Sequence, residues 1–123
     1  GYGGRRIRTI LHDRQGMSGR VSKSRHLPFS LAVIIDGAVF RREAPALLAF
    51  HDDDGCWQFL SGRPTSVDDA KIVGLGEILQ LDPTLREILD TPRGHVAIRD
   101  AWGESWRIEL SAAYLDKLDL SLN

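Results

Sequence analysis

His51-Asp52-Asp53-Asp54-Gly55-Cys56-Trp57-Gln58-Phe59-Leu60 is the stretch from which the fold reads outward. Three consecutive carboxylates followed by glycine suit a solvated turn, because glycine accepts the positive φ that closes such a turn. On its far side Cys56 to Leu60 alternates in period two. Trp57 and Phe59 fall on one face, with Cys56, Gln58 and Leu60 on the other. Upstream, Ala46 to His51 has the apolar density of a partner strand. The segment predicts an antiparallel hairpin with Trp57 in the core.

Working outward, Ser30 to Ile35 is a short, β-branched run of strand length, and Asp36-Gly37 is a dipeptide suited to a tight turn. Ala38-Val39-Phe40 is expected as a second short strand or the far side of that turn, and Arg41 to Pro45 as an exposed connection. Beyond the hairpin, Ser61 to Ser66 has loop composition and Ala70 to Val73 reads as a short extended segment. Leu75, Ile78 and Leu79 fall at helical spacing in a helix ending near Leu81. Asp82-Pro83-Thr84 restarts a helix, since Asp caps well and proline at the first position forfeits no helical bond. That helix should run to Leu89, and Thr91 to Gly94 ends it. His95 to Arg99 and Ser105 to Leu110 are strands about a turn at Ala101 to Glu104. Ser111 opens a final helix with Tyr114, Leu115 and Leu118 inward. The order implies an α+β fold, a mostly antiparallel sheet with two or three short helices packed on one side. No internal repeat is found.

A chain of 123 residues, 42% hydrophobic and 27% charged, fits one domain with one core. Cys56 is the single cysteine, so no intramolecular disulfide can form and a cytoplasmic location is expected. No apolar run approaches the roughly 20 residues of a membrane helix, and Gly1 to Arg6 lacks the apolar core of a secretory signal. Neither spanning nor export is expected. The formal net charge of −1 conceals an asymmetry. Residues 1–26 carry seven basic side chains against Asp13, 7 − 1 = +6, and the remainder carries 9 − 16 = −7. The expected division is therefore a basic, flexible arm at 1–26 and a single domain at 27–123. Such an arm could contact nucleic acid through phosphates, or dock on the acidic remainder of its own chain. No stacking platform or groove-reading helix accompanies the charge, so a solvated arm is the preferred reading.

The crowded hairpin invites a metal reading. His51, Asp52, Asp54 and His95 would be the ligands of a small metal-binding protein or metal-dependent hydrolase. Against this, calcium takes six to eight oxygens from a longer loop, and zinc sites are marked by closely spaced Cys or His pairs that are missing here. A nucleophilic Cys56 is disfavoured by the carboxylates before it, which hold a thiol protonated. Gly74-Leu75-Gly76 lacks both the third glycine of a dinucleotide fingerprint and a P-loop lysine. No catalytic residue and no cofactor is assigned. Trp102, beside Gly103 in a turn and flanked by Asp100 and Glu104, suits an interface anchor with an acidic rim; the plainer alternative is an indole folded over a hairpin end. Asp52, Asp53, Asp54, Trp102 and Glu104 are thus the candidate contacts to a protein partner.

Asp54-Gly55-Cys56-Trp57-Gln58-Phe59-Leu60-Ser61-Gly62, then Asp82-Pro83 opening a helix, then Leu89-Asp90-Thr91-Pro92-Arg93-Gly94-His95-Val96-Ala97-Ile98-Arg99 form an ordered set. This pattern resembles a set of small bacterial proteins of uncharacterised function. More distantly it resembles the immunity-protein-like domains of polymorphic toxin systems. The resemblance spans about residues 46 to 107. It implies a non-enzymatic binding or regulatory domain that acts on a protein partner through an acidic surface, and it carries over no catalytic residue.

Overall fold

Val33, Ile34 and Ile35 have branched side chains whose restricted χ1 suits a pleated strand. They form the fully buried middle of β1 (Ala32–Asp36) in the computed structural model, which describes residues 27–64 and 66–122. The basic segment 1–26, and with it the expected nucleic-acid contact, lies outside the described residues. After β1 come α1 (Gly37–Phe40), β2 (Leu48–His51) and β3 (Trp57–Leu60). A 3-10 turn (Val67–Asp69) leads into β4 (Ala70–Gly74) and α2 (Leu75–Leu81). A 3-10 helix (Pro83–Ile88), β5 (His95–Ile98), β6 (Arg107–Leu110) and α3 (Ser111–Leu122) complete the chain.

The six strands form one mixed sheet in the order β4-β1-β3-β2-β5-β6. Only β1 and β3 pair in parallel; the other pairings are antiparallel. The hairpin stands as expected, with His51 opposite Trp57 and Leu48 opposite Leu60. The α+β class also stands. No helix among the described residues is long and apolar enough to cross a membrane.

One local expectation is overturned. Asp36-Gly37 does not close a tight turn, and Ala38 to Phe40 is a single helical turn instead of a strand. The cause is the Asp36 carboxylate, which is buried and accepts from Val39 N at 2.9 Å as the cap of α1. Its other oxygen accepts from Ser61 N and Ser61 Oγ, both at 2.8 Å, tying the start of α1 to the end of β3. A turn residue by local preference has become a buried junction. The Asp82 restart occurs as expected, but the helix it opens is of the tighter 3-10 type over Pro83–Ile88.

Alternation along the strands divides the core between two faces. Val33, Ile35, Ala49, Trp57, Phe59 and Ala97 face α2 and the 3-10 helix, where Leu75, Ile78, Leu85 and Ile88 cover them. Leu48, Phe50, Leu60, Val96 and Ile98 face the other way, and Tyr114 and Leu115 of α3 pack against them. The helices therefore do not all pack on one side of the sheet as expected: the C-terminal helix takes the face opposite the others. It must, because Phe50 and Leu60 are apolar on that side and a strand's second face needs its own cover.

Arg99, just past β5, is a buried side chain bonded on every side. Its guanidinium donates to Asp82 Oδ2 at 2.8 Å, to Thr84 Oγ1 at 2.8 Å and twice to the Ala46 carbonyl, at 2.9 and 3.1 Å. It also lies over the Trp106 ring, 4.2 Å from the centroid. Only 1% of the side chain is exposed, so removing the guanidinium strands a buried carboxylate and a buried carbonyl. R99M should lose about 3–5 kcal/mol of unfolding free energy in a denaturant titration. R99K should recover little of it, because a point charge cannot reproduce the fork that serves Asp82 and Ala46 together. Wild-type stability for R99M would remove Arg99 from this role.

Candidate functional site

The hairpin turn is built by backbone first. Asp52 N donates to Cys56 O at 2.8 Å and Gly55 N to Asp52 O at 2.9 Å, with Gly55 at φ 93°. Asp54 Oδ1 accepts from Cys56 N at 3.1 Å, the local bond that makes aspartate a turn residue. The three carboxylates then have different fates. Asp52 is buried and its Oδ2 accepts from Gln58 Nε2 at 2.9 Å, so it is a structural group on the β3 side of the turn. Asp53 and Asp54 stay exposed. The Arg93 guanidinium lies so close to Gly55 that a Cβ there would sit 2.9 Å from it, and the Asp53 carboxylate is as close to Gly94.

His51 and His95 are cross-strand partners on β2 and β5. The His51 ring stacks on Trp57 with centroids 4.1 Å apart and planes 10° from parallel. Its Nδ1 lies 2.8 Å from the Thr91 carbonyl, and His95 Nδ1 lies 2.9 Å from the Arg93 carbonyl. A carbonyl only accepts, so each Nδ1 carries the proton. Burial pushes the His51 pKa below its ordinary value; the Thr91 bond opposes this, while repulsion from Arg93 adds to it. Strand alternation points His51 away from Asp52, toward the opposite face of the sheet. The candidate ligands His51, Asp52, Asp54 and His95 are therefore not brought to one point, and among the described residues no three His, Cys, Asp or Glu side chains form a group able to hold a metal. Cys56 is buried beside Ile34 as a packed thiol.

The candidate partner residues divide between two ends of the strands. Asp52 to Asp54 lie at the His51/His95 end, whereas Trp102 and Glu104 lie in the connection from β5 to β6, at the Leu48/Ile98 end. Four residues of strand separate the two, roughly 13 Å. At the second end Trp102 is 59% exposed, yet its indole N–H donates to Asp82 Oδ1 at 3.3 Å. Asp100 and Glu104 flank it in the open, with Asp100 paired to Arg107 at 3.3 Å.

Beside Trp102 runs a groove of about 310 Å³, walled by Val39, Pro45, Ala46, Leu81 and Asp82 and edged by Arg42. A neighbouring hollow of about 290 Å³ shares Arg42 and Leu81 and reaches Phe40 and Glu77. Arg42 follows the end of α1 at φ 61°, a left-handed position that favours glycine. Its backbone N–H donates to Val39 O at 3.0 Å, closing the helix. Sequence reading placed Arg42 in an exposed connection and missed its position between two hollows. No local signal marked it, because the helical turn that Arg42 closes was itself expected as a strand or the far side of a turn. No family model matches this chain, and no curated protein or solved structure matches it either.

Two outcomes follow from this geometry. The folded His51 pKa lies below the unfolded value, so the unfolded chain takes up the proton first. His51's share of stability is whole above about pH 6.5 and is lost as pH falls from there toward the depressed folded pKa. The melting temperature of the wild type should drop more steeply than that of H51Q between pH 6.5 and about 5. Parallel curves for the two proteins would show that His51 does not supply the slope. R42G, which relieves the left-handed strain, should raise stability by up to about 1 kcal/mol in equilibrium unfolding.

Proposed function

We propose that this domain is a non-enzymatic, immunity-like docking module that covers a basic protein partner, with Trp102 as anchor and Asp100 and Glu104 as acidic rim. The observation that carries the reading is the state of Trp102. It is exposed, but its indole is already held by Asp82, which Arg99 in turn holds from inside the protein. A large aromatic side chain ordered before binding loses little rotamer freedom on contact, and such residues dominate the energetics of interfaces. The groove beside it offers a place for a partner's apolar side chain. The excess of carboxylates in residues 27–123, −7 in formal charge, would draw a basic partner in and fix its orientation.

On this reading Asp53 and Asp54 form a second acidic surface at the far end of the strands, and Asp52 serves the fold. The single, buried thiol of Cys56 suits a cytoplasmic setting. The test is titration of the protein against a panel of basic nuclease and toxin domains by calorimetry. At least one pairing should form and should weaken as salt is raised. W102A should weaken that pairing about tenfold or more. Its unfolding midpoint should stay near the wild type, because the indole is mostly outside the core. No pairing with any member, or an unchanged affinity for W102A, would defeat the proposal.

A further inference from the structure

β6 is the outermost strand on its side of the sheet, so one of its edges meets no described strand. The phase of its backbone bonds follows from the register. Ser111 N donates to Gly94 O at 2.9 Å, and residues 95 to 98 then pair with 110 to 107. Bonded and non-bonded residue pairs alternate in an antiparallel ladder. Glu109 and Arg107 therefore turn their peptide groups toward β5, and Ile108 and Leu110 turn theirs toward the open edge. The side chains alternate as well. Arg107 and Glu109 stand on the α3 face, where Lys117 Nζ reaches Glu109 at 2.8 Å. Ile108 and Leu110 stand on the other face and are 45% and 58% exposed.

We propose that β6 pairs antiparallel with β6 of a second copy about a two-fold axis through Ile108, joining two six-stranded sheets into one. An isologous contact must be complementary to itself, and this edge meets that condition in one register. Centred on Ile108, the outward peptide groups of both strands meet: Ile108 bonds its own counterpart, and Leu110 bonds the partner's Trp106. Arg107 then faces the partner's Glu109, and Glu109 the partner's Arg107. These are non-bonded pairs, the class in which side chains stand closest. On the opposite face Ile108 meets its counterpart and Leu110 meets the partner's indole, so the exposed apolar side chains cover one another. A shift by one residue sets outward peptide groups against inward ones. Centring on Arg107 or on Glu109 opposes like charges. Charged side chains usually protect an edge strand from pairing. Here two charges of opposite sign, two residues apart, make the edge recognise itself.

Sedimentation velocity of the full chain across the micromolar range should show a concentration-dependent species of twice the 13.7 kDa chain mass. A wild type that stays monomeric throughout overturns the proposal. R107E presents only carboxylates at the two positions and E109R only guanidinium groups, so each alone should dimerise about tenfold more weakly or worse. An equimolar mixture of R107E and E109R should form a heterodimer as tight as the wild-type dimer, because every cross-strand pair is again of opposite sign. Intrachain contacts are the same in each variant alone and in the mixture, so a merely unfolded or distorted variant cannot produce this rescue. With both variants folded by circular dichroism, a mixture that remains monomeric, or single variants that dimerise like the wild type, places the contact elsewhere.

Discussion

Asp82 and Arg99 form the contact on which the rest of the structure hangs. Asp82 closes α2, caps the 3-10 helix through Thr84 N at 3.0 Å, accepts from Arg99 and accepts from Trp102. Arg99 in turn holds the Ala46 carbonyl at the entry to β2 and the face of Trp106 at the entry to β6. One ion pair thereby joins the helical layer, a central strand and the hairpin that displays Trp102. The geometry is complete enough to offset the desolvation of both charges: the guanidinium has three acceptor groups, and the carboxylate has three further donors in Thr84 N, Thr84 Oγ1 and Trp102 Nε1. Position, more than net stability, is what such a pair supplies. Without it the Trp102 indole would have neither a fixed acceptor nor a fixed loop.

The carboxylates of this chain divide into two populations that composition treats alike. Asp36, Asp52 and Asp82 are buried and each accepts hydrogen bonds from defined donors. Asp36 and Asp82 join elements that are distant in sequence, whereas Asp52 braces its own hairpin. Asp53, Asp54, Asp100 and Glu104 are exposed, with Asp100 paired to Arg107. The acidic tract that draws attention in the sequence is accordingly less concentrated than it reads, because Asp52 is turned inward and Arg93 lies against the turn. The acidic rim about Trp102 is the better-placed surface, since it borders a groove and carries a fixed aromatic.

A sheet with helices on both faces has only its two edges and its two strand ends left for contacts. The Trp102 connection occupies one strand end, the 52–55 turn the other, and β6 one edge. These three surfaces differ in chemistry: an aromatic with carboxylates, a turn with mixed charge, and a strand with alternating apolar and oppositely charged side chains. The Trp102 connection and β6 meet at Arg107, which pairs with Asp100 at 3.3 Å.

Much of this architecture was written in local pattern. Alternation in Cys56 to Leu60 located the hairpin, the Asp82-Pro83 pair located a helix start, and apolar spacing located α2 and the inward residues Tyr114 and Leu115. Each of these signals acts within a few residues, where backbone preference and side-chain period are decisive. Tertiary structure alone decided what depends on distant partners. Asp36 became a helix cap because Ser61 meets it across the sheet. His51 and Asp52, neighbours in sequence, were sent to opposite faces by the pleat. Asp52 to Asp54 and Trp102 were placed at opposite strand ends by the antiparallel register, and Arg99 found Asp82 at a separation of 17 residues along the chain. Local chemistry determines which elements form. Burial on two faces of a sheet determines which side chains remain at the surface, and that depends on the whole strand order.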